Sequence, residues 1–195
     1  MTAGRPLPLE FVKSAPSADD LPDNDAELAV VGRSNVGKSS LLNAIANRNA
    51  LAKTSKTPGR TQLLNCFSLR EGGTVVDCPG YGYAKAPRSV RDAFGPMIEG
   101  YLLGREELTM VVVLVDGAIG PTKLDVQLLD WLRANALPHT VLATKSDKVK
   151  SKGKDKRKAE LAHGCGLDRS DVVWVSASKN VNIDRVRDLF RMWLA

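Results

Sequence analysis

The sequence predicts an α/β fold: a mostly parallel six-stranded sheet with helices on both faces, three layers in all. Two observations predict it. Short β-branched runs alternate with segments of helical period, and the runs lack the polar alternation of a sheet with one wet face. Strands of that kind need cover on both sides.

Five runs carry the signal, at residues 28–31, 74–76, 110–115, 140–143 and 172–175, the last holding Trp174. A sixth strand is expected over 62–69, antiparallel to 74–76 across the turn residues Glu71, Gly72 and Gly73. Three apolar stripes at helical spacing lie between or after them: Leu41, Leu42 and Ile45; Leu124, Leu128 and Leu132; and Ile183, Val186, Phe190 and Trp193. Thr122 with Asp125 three residues on has the capping-box pattern, and Asn182 is the expected N-cap of the last helix.

At 195 residues the chain has the size of one domain. Pro, Ser and Asp crowd residues 16–25, so 1–24 is expected as an N-terminal arm and 25–195 as the single functional domain. A content of 43% hydrophobic and 26% charged residues excludes disorder throughout. Cys66, Cys78 and Cys165 lack paired spacing, which argues against a disulfide framework or zinc site and suits a reducing cytosol. Residues 1–10 lack the apolar core of an export signal. The longest apolar run, 110–115, is far shorter than the roughly 20 residues that span a bilayer. The expectation is a cytoplasmic protein, a monomer, with no membrane contact.

The net charge of +6 is concentrated in one place. Residues 145–158 hold eight Lys or Arg against Asp147 and Asp155, and the rest of the chain is balanced at 20 bases and 20 acids. Such a strip is either a solvated Lys-rich loop or a surface that attracts phosphate backbones by Coulomb steering and counterion release.

The chemistry starts where the first run ends. Gly32, Arg33, Ser34, Asn35, Val36, Gly37, Lys38 and Ser39, followed by Ser40, match the phosphate-binding loop in full and in the right setting, between strand and helix. Gly32 and Gly37 let successive N–H groups turn inward around phosphate oxygens. Lys38 would neutralise the outer phosphates, and the Ser39 hydroxyl would ligate magnesium.

The base is read downstream. Thr144, Lys145, Ser146 and Asp147, after the fourth parallel run, look like the guanine-recognition motif of GTPases, with Thr where Asn is commonest. The Asp147 carboxylate can accept from both N1–H and the 2-amino group of guanine, a donor pair that adenine lacks. Val175, Ser176, Ala177 and Ser178 resemble the last guanine motif, in which the Ala177 N–H meets O6. Asp77, Cys78, Pro79 and Gly80 look like the DxxG motif; Asp77 would hold magnesium through water, and the Gly80 N–H would sense the γ-phosphate. Each tetrapeptide alone would pass for a strand end or a plain turn. Their order around the phosphate loop is the argument.

Three stretches are very similar to the EngB (YihA/YsxC) family of bacterial ribosome-assembly GTPases: GRSNVGKSS from Gly32, SKTPGRTQL from Ser55 and DCPGYGYAK from Asp77. The resemblance spans most of the chain. It implies the P-loop GTPase fold, magnesium-dependent hydrolysis of GTP to GDP, large-subunit (rRNA) binding and a part in cell division and septation. It also implies that Gly59, Arg60, Thr61, Gln62 and Leu63 form the first switch, with Thr61 coordinating magnesium and serving catalysis beside Lys38 and Gly80. Spacing alone leaves Thr57 as a competing ligand. Asn35 resembles the residue that helps hold potassium in some related GTPases.

Departures are Cys66 and Cys78, where bulkier apolar residues are expected, and Ala118 with Ile119, where the family often has Arg-His. Tyr81 follows Gly80 where many GTPases place the Gln that orients water, and neither His139 nor His163 lies among the motifs. Slow intrinsic hydrolysis is therefore expected, with acceleration by a partner. Arg60 is either an arginine finger in cis or a solvated loop residue. Tyr81, Tyr83, Lys85, Arg88 and Arg91 mix aromatics and cations in a second switch suited to RNA. Two other readings share the phosphate loop: a P-loop phosphotransferase, which would need an acceptor pocket, and a septum-associated module in which nucleotide is structural.

Overall fold

Valine runs such as 111–113 have no polar face, so they fold only where both sheet faces are covered. The computed structural model describes residues 4–52, 63–82 and 88–195. Its seven-stranded sheet has the order β1-β3-β4-β2-β5-β6-β7. The strands are β1 (Leu9–Ala15), β2 (Glu27–Gly32), β3 (Leu64–Leu69), β4 (Thr74–Asp77), β5 (Leu108–Asp116), β6 (His139–Thr144) and β7 (Val172–Trp174). From β4 to β7 all neighbours are parallel, whereas β1 and β3 add antiparallel pairs at one edge.

The helices are α1 (Lys38–Ala46), α2 (Arg88–Gly104), α3 (Lys123–Ala134), α4 (Lys154–Gly164) and α5 (Ile183–Trp193). Successive strand residues point to opposite faces, so β5 serves two cores. Val111, Val113 and Val115 pack with Tyr101 and Leu102 of α2, Leu129 and Leu132 of α3, and Leu161 of α4. Val112 and Leu114 pack with Leu41, Leu42 and Ile45 of α1 and with Ile183, Val186 and Phe190 of α5.

The expected sheet of six strands has seven. The addition is β1, from the segment read as an arm, which pairs with β3 from Leu9↔Leu69 to Ala15↔Leu64. Only its end residues Leu9 and Ala15 are buried, so it carries no apolar run to read. Leu7 N–H donates to the Ile45 carbonyl at 2.9 Å, and buried Arg187 on α5 donates to the carbonyls of Ile45, Ala44 and Gly4. The chain start thus helps close the open C-terminal carbonyls of α1.

The antiparallel β3–β4 pair forms as expected, with Cys66↔Val76 in register, although β3 begins at Leu64 and Gln62 lies outside the described residues. Thr122 N–H donates to Asp125 Oδ2 at 2.7 Å, as the capping box requires. Asn182 occupies the N-cap of α5 but its side chain donates to the Trp174 carbonyl at 2.7 Å. Among the described residues no helix is long and apolar enough to cross a membrane.

Candidate functional site

The carboxyl ends of β2, β4, β5, β6 and β7 meet on one edge of the sheet, where open α/β folds place ligands. After β2 the chain turns through Gly32 to Gly37 and enters α1. A Cβ at Gly32 would stand 2.9 Å from the Leu114 carbonyl oxygen and 2.9 Å from Val36 Cγ1, so the turn needs glycine there. Gly37 and Asn35 take left-handed backbone, at φ +114° and +63°. The N–H groups of Asn35, Gly37, Lys38 and Ser39 donate to no acceptor among the described residues. They open at the positive end of α1, a ready cradle for an anion. Lys38 Nζ donates to the Gly32 carbonyl at 3.4 Å, across the mouth of the loop.

Asp77, the last residue of β4, is buried, and its Oδ1 has no hydrogen-bond partner among the described residues. Burial pushes its carboxyl up from 3.8 to about 6, against the pull of Lys38. Among the described residues, this carboxylate and the Ser39 hydroxyl are groups able to hold a divalent cation. Burial, then the Asp77 charge, pushes the Cys78 thiol well up. Gly80 lies against the phosphate loop: Ser34 Oγ donates to its carbonyl at 3.1 Å, and a Cβ on Gly80 would come within 2.8 Å of Ser34 N. Ser34 N–H donates to the Tyr81 carbonyl at 2.9 Å. The Tyr81 hydroxyl points away, to Asp125 Oδ1 at 2.7 Å on α3, and burial with that bond raises its pKa.

The other end of the edge is held by side chains. Thr144 Oγ1 donates to the Val36 carbonyl at 2.7 Å, joining β6 to the phosphate loop. Lys145, at φ +54°, donates from Nζ to Asp116 Oδ2 at 2.7 Å. Asp147 is exposed, and its Oδ1 accepts from Ser176 Oγ at 2.6 Å, which lowers its pKa. Ser146 N–H donates to the Val175 carbonyl at 3.0 Å, so the loops after β6 and β7 are laced together. The Ala177 N–H donates to nothing among the described residues.

The structure therefore brings residues 32–40, 77–80, 144–147 and 175–177 onto one edge, with Pro79 in the turn between Asp77 and Gly80. Leu63 is half-exposed at the approach to β3. Gly59, Arg60, Thr61 and Gln62, with Thr57, lie outside the described residues, as do Tyr83 and Lys85 and the side chains of Arg88 and Arg91. His139 and His163 stand apart, at the start of β6 and on α4. The motifs give no site role to Asp116, the partner of Lys145, or to Asp125, the partner of Tyr81. Asp116 ends the longest apolar run, a signal that was there to use; Asp125 was visible only as a cap.

A phosphate cradle, a buried carboxylate beside it and an exposed carboxylate at the far end define a P-loop nucleotide-binding protein. The model of the 50S ribosome-binding GTPase family matches residues 27–145. A "Probable GTP-binding protein EngB" of Pelobacter propionicus is 45% identical over 188 residues, 95% of this chain and 94% of that one. One of Halothermothrix orenii is 47% identical over 152 residues, 77% and 76% of the two chains. The fold is that of a crystal structure of a probable GTP-binding protein EngB, with TM-score 0.72 and 24% identity, covering 87% of this chain and 98% of that one. The chain belongs to the EngB family of P-loop GTPases.

Proposed function

We propose that this GTPase is a magnesium-dependent switch that binds the large ribosomal subunit in its GTP state, assists assembly, and leaves after hydrolysis. The observation that carries the site is the Thr144–Val36 hydrogen bond, which makes base reader and phosphate cradle one continuous site. The nucleotide-binding domain takes in residues 25–195 together with β1, which the sheet adds to it. In it the loop Gly32–Ser40 and Lys38 hold the phosphates, Asp147 and Ala177 read guanine, and Lys145 lays its stem along the base. The ribosomal half rests on the family, whose model is described as a 50S ribosome-binding GTPase.

Magnesium suits the residues present. A buried carboxylate with an unpaired oxygen is costly unless a cation faces it, and Asp77 is such a group. Among the described residues no cluster of three or more His, Cys, Asp or Glu exists, which fits an ion shared between few side chains and substrate phosphates. Ser39 and Thr61 would hold it directly and Asp77 through water; when bound it neutralises charge on the phosphates. Lys38 and the Gly80 N–H stabilise charge on the γ-phosphate. A potassium ion beside Asn35 belongs to the same proposal.

Hydrolysis is slow without a partner, on the order of 10⁻⁴ per second, because no group at Tyr81 orients water. The Tyr81 hydroxyl is engaged by Asp125. Acceleration of about 10⁵ takes about 7 kcal/mol of transition-state stabilisation, which a partner supplies. The protein is read as a cytoplasmic monomer needed for normal septation. The test is pelleting with purified large subunits: retention with a non-hydrolysable GTP analogue and release with GDP is expected. Equal pelleting in both states would leave a nucleotide-indifferent binding module instead, and phosphate appearing on a small acceptor would make the protein a phosphotransferase.

A further inference from the structure

We infer that the loop after the base reader and the exposed face of α4 form an RNA phosphate-backbone surface that works in both nucleotide states. It deepens the ribosomal reading, and rests on it only for the source of the RNA. The surface begins one residue beyond Asp147, in the 3-10 turn Ser146–Lys148, and continues through the loop into α4.

The surroundings show that this strip is more than charge scattered over a solvated loop. Lys145 is engaged by Asp116 at 2.7 Å and does not contribute. Lys148, Lys150, Lys152 and Lys154 are exposed, and with Lys158 they form no ion pair among the described residues. Lys156 and Arg157 share one carboxylate, Glu160, at 3.9 and 3.5 Å. Of the two acids in the strip, Asp155 faces Arg169 at 3.4 Å, while Asp147, whose Oδ1 accepts from the neutral Ser176 hydroxyl, keeps its charge beside Lys148. Lys150, Lys152 and Lys154 are left without an acid partner among the described residues.

Their placement also works against local stability. Lys154, Lys156, Arg157 and Lys158 occupy the first five residues of α4, at the positive end of its dipole, where cations disfavour the helix. Its N-cap is Gly153 at φ +94°, with no capping side chain. A sequence that breaks the helix rule at several positions on one exposed patch marks a surface kept for a partner. A partner that suits it is a dense line of negative charge, and an RNA backbone supplies one.

The surface lies beside the base end of the site, and none of its residues touches Asp77 or Gly80. It therefore anchors RNA whichever nucleotide is bound, and leaves the discrimination of GTP from GDP to the phosphate end.

The experiment measures fluorescence anisotropy with an RNA duplex of about 20 base pairs, using the whole protein loaded with GDP or a GTP analogue. The triple variant Lys150→Glu, Lys152→Glu and Lys154→Glu should lose at least about tenfold in affinity at about 100 mM KCl, with a salt slope shallower by two to three. GDP affinity should stay within about twofold, since these lysines touch none of the nucleotide residues. The matching Lys→Gln triple variant should lose less. Wild-type affinity in the two nucleotide states should agree within about threefold. Unchanged RNA affinity in the triple variant overturns the inference, and so does a tenfold dependence on nucleotide. Lost large-subunit pelleting with RNA affinity intact also overturns it, since the surface then meets a ribosomal protein. If the wild-type protein binds the duplex but does not pellet with large subunits, the surface stands and the ribosomal reading falls.

Discussion

The two ends of the nucleotide site differ in what they lack. At the base end the polar groups of the motif already have partners: Asp147 Oδ1 accepts from Ser176, Lys145 pairs with Asp116, and Asp116 Oδ1 also accepts from the N–H groups of Ala118 and Ile119. At the phosphate end Asp77 Oδ1 has no hydrogen-bond partner, and Lys38 leans on a backbone carbonyl of its own loop at 3.4 Å. A preorganised end selects by shape and donor pattern, at little cost in ordering. An end with unanswered charge gains most when ligand and cation arrive, so it is where a difference of one phosphate is felt.

The largest expected effect lies at the preorganised end. Two charge-assisted bonds from guanine to Asp147, each about 1.5–3 kcal/mol, give about 10²- to 10⁴-fold in affinity. Asp147→Asn should lose GTP binding on that scale and gain xanthosine triphosphate, whose base edge presents the inverted pattern. Calorimetry with both nucleotides checks it. An unchanged preference would mean that Asp147 is merely a surface acid bonded to Ser176.

At the phosphate end the expected effect is smaller and depends on pH. The folded Asp77 value of about 6 lies above the ordinary 3.8, so between those values the unfolded chain has released a proton that the folded chain keeps. Stability from this group is therefore fully present below pH 3.8 and falls as pH rises through 6, by about 3 kcal/mol. Urea unfolding of nucleotide-free protein at pH 4.5 and 7.5 should show about 2 kcal/mol of that loss, the rest falling below pH 4.5, and Asp77→Asn should remove that part. The variant should also be more stable than wild type at pH 7.5 and should lose the gain in GTP affinity that magnesium provides. If wild type and Asp77→Asn change equally between the two pH values, the carboxylate is already compensated and the contrast between the ends disappears.

How much of this could be read beforehand follows the same division. That residues 32–39, 77–80 and 144–147 share one edge of the sheet was legible because phosphate and guanine recognition would fix residue types at short spacing. The buried strands were legible because an apolar run declares burial. β1 was not, since five of the seven residues of this edge strand face solvent and only Leu9 and Ala15 lie inside. α2 was hidden by Gly95, Pro96 and Gly100, and α4 by lysines that outnumber its two buried residues, Leu161 and Ala162. Partners distant in sequence were out of reach altogether. Glu27 is fully buried at the start of β2, accepting from Tyr101 at 2.8 Å, Arg105 at 3.1 Å and Thr74 at 2.9 Å. Nothing within a few residues of it announces those donors, and the same holds for Tyr81 with Asp125. Local pattern specifies what a ligand demands, whereas the long-range hydrogen bonds that hold those residues in place appear only once the sheet is assembled.

The smallest effect tests the tie between the two ends. Thr144 stands where Asn is commonest in the guanine motif, and its Oγ1 donates to the Val36 carbonyl at 2.7 Å from a buried position, with the Val115 carbonyl at 3.2 Å. Its hydroxyl joins the loop that carries Asp147 to the phosphate loop, and it makes no bond to Asp147 itself. Thr144→Val keeps the side-chain shape and removes the donor, so the expected loss is about 1 kcal/mol in stability, about fivefold in GDP affinity. The ratio of guanine to adenine nucleotide affinity should not move, because the donors to Asp147 are untouched. Should the ratio fall along with the affinity, Thr144 shapes the base pocket itself, and the two ends are one element rather than two joined by a strut.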